Sequence, residues 1–201
     1  MAKKTEKTRE GSYKRETKET LISASLCLDG SGEAKIDTGI GFLDHMLESF
    51  ARHGFFDLTL SCEGDLHVDG HHSVEDCGIV LGEAIKRAVG DKEGITRYGS
   101  MILPMDDALV LCAIDICSRP YFEYEASFPT ERIGYLDTEL VREFFYAISY
   151  SAGMNLHIKV LSGINSHHIC EAMFKSFAKA LDMATVIDPR ITNALSTKGS
   201  L

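Results

Sequence analysis

The chain has 201 residues, 44% hydrophobic and 25% charged, enough to bury one sizeable core or two small coupled ones. Thirty acidic against 21 basic residues leave a net charge of −9, the wrong sign for a phosphate-backbone binder, so no nucleic-acid partner is expected and any anion site must be local. No run approaches the roughly 18 apolar residues of a membrane span, and the charged start MAKKTEKTREG leads to no apolar segment, so neither membrane nor secretory signal is expected.

Residues 1–11 are polar and expected to fray. SYKRETKET continues into LISASLCL, which predicts strands turning near Lys18. DGSGE (29–33) is a turn signal, followed by a short strand at Ala34–Thr38. GFLDHMLESFARHG (41–54) places Phe42, Leu43, Met46, Leu47 and Phe50 at helical spacing, with Gly54 as the stop. FFDLTLSC (55–62) reads as a strand and residues 71–90 as a helix. Three strands are predicted between Met101 and Ser127, then a helix over 137–153 capped by Asp137, the strand MNLHIKVLSG, a helix over 167–185 and an irregular tail. The cysteines, at Cys27, Cys62, Cys77, Cys112, Cys117 and Cys170, form no C-x-x-C pair and sit mostly in apolar runs such as LVLCAIDIC. That usage belongs to a reduced, cytoplasmic compartment.

The pattern repeats. His71-His72-x-x-Glu75 returns as His167-His168-x-x-Glu171, 96 residues on, and each copy follows a helix that ends in glycine and then a strand. His45 and Glu143 correspond at nearly the same offset. The expected fold is α+β: an internal duplication of two similar αβ halves, each a four-stranded mixed sheet with two helices on one face. The halves are placed at 1–92 and 93–187, with 188–201 as a tail.

On a helix, residues i and i+4 lie about 40° apart in azimuth and i and i+1 about 100°. His71 with Glu75, and His167 with Glu171, can therefore each grip one ion, while His72 and His168 point elsewhere. Pseudo-twofold symmetry then offers one site from His71, Glu75, His168 and Glu143, and another from His167, Glu171, His72 and His45. The symmetry allows this division without forcing it. A single His-His pair at a helix start is ordinarily a polar cap, and His45 alone would read as a core histidine; two copies at one offset favour ligands. Imidazole and carboxylate without thiolate suit Mn²⁺, Fe²⁺ or Zn²⁺. Arg97, Arg119 and Lys175 are candidate phosphate ligands, as is the tail segment Ser196-Thr197-Lys198-Gly199. Surface ion pairs and a loose terminus are the plainer readings of the same residues.

The segments GFLDHML, GHHSVED and NSHHICEAMFKSFAKAL, with the closing STKG, resemble the imidazoleglycerol-phosphate dehydratase family from about Tyr13 onward. The resemblance implies loss of water from imidazoleglycerol phosphate to give imidazoleacetol phosphate, in histidine biosynthesis. It implies two Mn²⁺ ions per active site, with other divalent transition metals as alternatives. It implies an imidazolate and a diazafulvene-like intermediate. It also implies a shell of 24 subunits built from trimers, with active sites between subunits. By the same resemblance Arg97, Arg119, Lys175 and Ser196, Thr197 and Lys198 match phosphate-binding positions, and the tail completes that site. His53 matches a substrate contact and Glu19 the acid/base near the reacting carbons. The metal ligands His45, His71, His72 and His167 also face the substrate, and His45, His72 and Glu171 join Glu19 as catalytic candidates. Glu143 stands where some members carry His, and Gly70 where an acidic residue often precedes the His pair. A dinuclear metallohydrolase, or a protein whose metals only stitch subunits together, are the competing classes.

Overall fold

A computed structural model of the chain describes residues 8–197. Lys198 of the expected phosphate set and the first seven residues lie outside that range. Of the start expected to fray, Glu10 and Gly11 are already strand.

The first half runs β1 (Glu10–Glu16), β2 (Thr20–Cys27), β3 (Ala34–Asp37), α1 (Gly41–Gly54), β4 (Asp57–Gly64) and α2 (His71–Val89). Its sheet has the order β1-β2-β4-β3, antiparallel except for the parallel pair β3–β4 that α1 connects. The second half runs β5 (Tyr98–Met105), β6 (Ala108–Asp115), β7 (Tyr121–Glu125), a small hairpin β8 (Arg132–Ile133) and β9 (Leu136–Asp137), α3 (Glu139–Ala152), β10 (Asn155–Ser162) and α4 (Ser166–Thr185). Its sheet order, β5-β6-β10-β7 with β7 and β10 parallel, repeats the first. The duplication read from the HHxxE copies is thus a duplication of topology.

Alternation decides which face each strand buries. Thr20, Ile22, Ala24 and Leu26 of β2 point inward, as do Ala108, Val110, Cys112 and Ile114 of β6. Helix α2 packs on β1 and β2, α4 packs on β5 and β6, and the helices meet across the halves as α2–α3 and α1–α4. The four helices therefore lie between the two sheets. Phe50 of α1, Phe144 and Phe145 of α3, and Phe174 and Phe177 of α4 join those three helices in one aromatic cluster, with ring centroids 4.9–5.5 Å apart.

Two glycines set the helix-to-sheet distance, one in each half. A Cβ on Gly11 of β1 would stand 2.1 Å from the carbonyl oxygen of Ala84, and one on Gly99 of β5 would stand 1.9 Å from that of Ala180. Only a residue without a Cβ lets backbone approach backbone this closely.

Two helix caps differ from expectation. Helix α1 ends at Gly54 as expected, but the left-handed cap residue is Phe55 rather than a glycine. Gly54 is needed for another reason: a Cβ there would overlap the ring of Phe56, which is fully buried. Asp137 does not cap α3. It lies in β9, where it accepts from Arg132, and Thr138 takes the cap position without a side-chain hydrogen bond. All six cysteines are free, and five are buried. Among the described residues no helix is long and apolar enough to cross a membrane.

A candidate metal centre and anion cavity

Helices α2 and α4 begin alike. The Asn165 side chain accepts from the backbone N–H of His167 (2.9 Å) and His168 (3.4 Å), and Asp69 accepts from that of His71 (2.8 Å). Each HHxxE motif therefore starts on the first turn of a helix, capped by the Asn165 side chain in α4 and, in α2, only supported by Asp69 before the N-cap Gly70, with the two histidines diverging.

On α4, His167 Nε2 lies 3.2 Å from Glu171 Oε2, the i,i+4 pair that helical spacing predicts. Packing of α1 against α4 brings in His45, so donor atoms of His45, His167 and Glu171 all lie within 4.8 Å of one another. Ligand bonds of about 2.1 Å place donors roughly 3–4 Å apart, so small side-chain adjustments let all three share one ion. The Phe42 ring meets His167 edge-on at 5.0 Å and walls one side. Lys175 donates to the other oxygen of Glu171 at 2.7 Å. Burial alone would raise the Glu171 carboxyl, but Lys175 outweighs it, and the group stays ionised below the usual carboxylate range.

His72 and His168 are held by carboxylates that the sequence did not mark. Asp65 accepts from His72 Nδ1 at 3.0 Å and Asp107 from His168 Nδ1 at 2.6 Å. In the neutral ring, this assigns the proton to Nδ1 and leaves the Nε2 lone pair for a ligand. These carboxylates raise both imidazoles above their ordinary value, and His168 in turn holds Asp107 well below its own. Glu19 Oε2 lies 4.0 Å from His72 Nε2, on the β1–β2 turn. Thr17 Oγ1 accepts from the backbone N–H of Glu19 and Thr20, and the Thr20 hydroxyl donates to buried Asp76 at 2.5 Å, tying the turn to α2.

Within one chain the two expected four-ligand sets are not complete. His45 joins His167 and Glu171, without His72. His71, Glu75, His168 and Glu143 form no such group among the described residues. Glu143 instead accepts from Arg142 at 2.9 Å. His53, two turns after His45, is half-buried on α1; burial, with Lys175 and Lys179 near, lowers its imidazole.

Arg97 and Arg119 line a cavity of about 550 Å³ together with Tyr98, Asn193, Ala194, Leu195, Ser196 and Thr197. Arg97 is buried, while Arg119 is exposed and its guanidinium has no partner among the described residues. Lys175 is not at this cavity. Arg97 bonds to the carbonyl of Ala184 near the C-terminal end of α4, whereas His168 stands at the N-terminal end. Sixteen helical residues put about 24 Å between those ends. Asp65, Asp76, Asp107 and Asp115 are the functional-looking residues that sequence reasoning missed. Each acts through a contact between separate elements, and none lies in a repeated motif.

Fold and centre together define a duplicated αβ protein that offers imidazole and carboxylate donors at one end of α4 and an arginine-lined cavity at the other. The family model described as imidazoleglycerol-phosphate dehydratase matches residues 38–181. The imidazoleglycerol-phosphate dehydratase of Lachnoclostridium phytofermentans is 67% identical over 187 residues, covering 93% of this chain and 95% of that one. That of Acetivibrio thermocellus is 56% identical over 187 residues, covering 93% and 96%. The crystal structure of the Staphylococcus aureus imidazoleglycerol-phosphate dehydratase superposes with a TM-score of 0.80 at 38% identity, covering 89% of this chain and 99% of that one. IGPD from Pyrococcus furiosus gives 0.81 at 39%, covering 94% and 100%. The chain belongs to the imidazoleglycerol-phosphate dehydratase family, and is a hydro-lyase of histidine biosynthesis.

Proposed function

We propose that the chain dehydrates imidazoleglycerol phosphate to imidazoleacetol phosphate with two Mn²⁺ ions per active site, through an imidazolate and a diazafulvene-like form of the substrate. The observation that carries this reading is the convergence of His45, His167 and Glu171 across α1 and α4. The donor set fits: it is borderline to hard and lacks thiolate, as Mn²⁺ prefers, with Fe²⁺ or Zn²⁺ as alternatives. The metals, when bound, would act as Lewis acids and as a template for the substrate ring. His71, Glu75, His168 and Glu143 are proposed to hold one ion, and His45, His72, His167 and Glu171 the other.

The chain's own groups supply the rest. The C–O bond on the carbon next to the ring breaks, and the hydroxyl leaves as water with a proton. Glu19, beside His72, is proposed to take the proton from the neighbouring carbon, and the resulting enol tautomerises to the ketone. His53 is proposed to contact the substrate. The phosphate is assigned to Arg97, Arg119, Ser196 and Thr197, whose cavity offers guanidinium and tail donors, and to Lys198, which lies outside the described residues.

A three-carbon chain between ring and phosphate spans well under roughly 10 Å. The metal centre and arginine cavity of one chain lie much farther apart, at opposite ends of α4. Such a substrate is served by the arginines of one copy and the metal centre of another, which supports active sites between subunits. Lys175, beside Glu171, would then reach a phosphate held by the neighbour's arginines. We accordingly propose a homo-oligomer, a shell of 24 subunits built from trimers, working in the cytoplasm. The test is turnover of imidazoleglycerol phosphate by chelated protein with and without added Mn²⁺. Ketone formed only with metal supports the reading; no ketone from assembled, metal-loaded protein overturns it.

A further inference from the structure

Arg97 is an arginine under unusual constraint. Its backbone is left-handed, φ 70°, a conformation that costs a residue with a side chain and that the surroundings must enforce. Its N–H donates to the Ala184 carbonyl of α4 (2.9 Å), and its carbonyl accepts from Ile116 N–H beyond β6 (3.1 Å). The side chain is as fully engaged. Nε and Nη2 donate to the two carboxylate oxygens of Asp115 at 2.6 and 3.0 Å. Nη1 donates to the carbonyl of Leu195 at 2.7 Å, and the guanidinium lies 4.7 Å from the Tyr98 ring centroid. Three of the five guanidinium N–H groups are committed, and two remain for the cavity that Arg97 lines. Arg119 contrasts with it in its side chain: exposed, with a guanidinium that has no partner among the described residues.

A carboxylate beside an anion site is electrostatically unhelpful, because it cancels the charge of Arg97 where a phosphate would use it. Its geometry gives the compensation. By gripping one edge of the fork, Asp115 fixes the plane and leaves another edge presented. Through the same guanidinium it holds the Leu195 carbonyl, and so the tail segment that brings Ser196 and Thr197 to the cavity.

We propose that Asp115 is a positioning residue for substrate phosphate: it sets the Arg97 fork and, through Arg97, seats residues 195–197 on the cavity. This rests on the assignment of that cavity to phosphate. Charge alone and positioning predict opposite signs. If Asp115 only neutralised, its removal would tighten anion binding; if it positions, removal weakens it.

The experiment uses full-length, metal-loaded, assembled protein, with inorganic phosphate as a competitive probe. Asp115→Asn is expected to raise both KM and the phosphate inhibition constant about tenfold while kcat falls less than threefold. Trypsin cleavage after Arg190, followed by mass spectrometry, is expected to quicken as the tail loosens. Arg97→Lys keeps the charge and loses the fork, so it should match Asp115→Asn, and the double variant should be no worse than either. It also gives the reading should Asp115→Asn fail to assemble. Arg119→Gln is the control on the cavity itself. Phosphate inhibition weakened in Arg119→Gln but unchanged or stronger in the Asp115 and Arg97 variants overturns positioning and leaves the phosphate site standing. Inhibition unchanged in all of them overturns the site and the proposal with it.

Discussion

Asp76 sits on α2 next to Glu75, only 6% exposed, and ties that helix to the β1–β2 hairpin. It accepts from Arg15 Nε at 2.9 Å and from the Thr20 hydroxyl at 2.5 Å. Asp76→Ala leaves the buried Thr20 hydroxyl with only the longer contact to Thr17 Oγ1 at 3.3 Å, a cost of about 1–3 kcal/mol. The Arg15 bond adds about 1 kcal/mol, discounted because that side chain is more than a third exposed. The expected loss is therefore about 3 kcal/mol. Thr20→Val removes the hydroxyl alone and should cost about 1 kcal/mol. Turnover should suffer more than stability in that variant, since Glu19 precedes Thr20 on the loosened turn and a misplacement near 1 Å can cost about a hundredfold. Unfolding is to be followed by circular dichroism at one fixed protein concentration, because association adds to apparent stability and the chain has no tryptophan. A loss under about 0.5 kcal/mol for Asp76→Ala, or wild-type turnover in both variants, refutes the argument.

Three further outcomes follow from the same contacts. Gly99→Ala forces a Cβ into the Ala180 carbonyl and should cost about 3 kcal/mol or more, whereas Gly41→Ala meets nothing within 4 Å and should gain up to about 1 kcal/mol in α1; equal melting temperatures would contradict the packing. Because burial and the neighbouring lysines lower His53, the folded chain binds fewer protons there than the unfolded one. Its contribution is full above about pH 6.5 and lost as pH falls through the lowered folded value. His53→Gln should flatten the fall in melting temperature between pH 7.5 and 5.5, and an unchanged slope would rule this out. Verified metal removal should reduce particle mass if the ions lie between subunits; light scattering that shows the full mass after chelation would count against shared sites.

Much of the architecture is written in local pattern. Alternation in LISASLCL, helical spacing in GFLDHML and the repeat of HHxxE each need only neighbours along the chain, so the paired αβ halves and the i,i+4 grip of His167 with Glu171 are legible directly. Tertiary structure alone decided which aspartates serve the site. Asp65, Asp107 and Asp115 sit outside the motifs and Asp76 only follows the motif Glu75; each gains its role from a partner outside its own element. It also decided that Phe55, not Gly54, takes the left-handed turn, because the glycine is spent on room for the Phe56 ring. Likewise it separated Lys175 from Arg97 by about half the length of α4, nine residues or about 14 Å, although both are cations. Periodicity is a property of neighbouring residues, whereas a hydrogen bond such as Thr20–Asp76 or His168–Asp107, across 56 and 61 positions, exists only once the chain has folded those elements together.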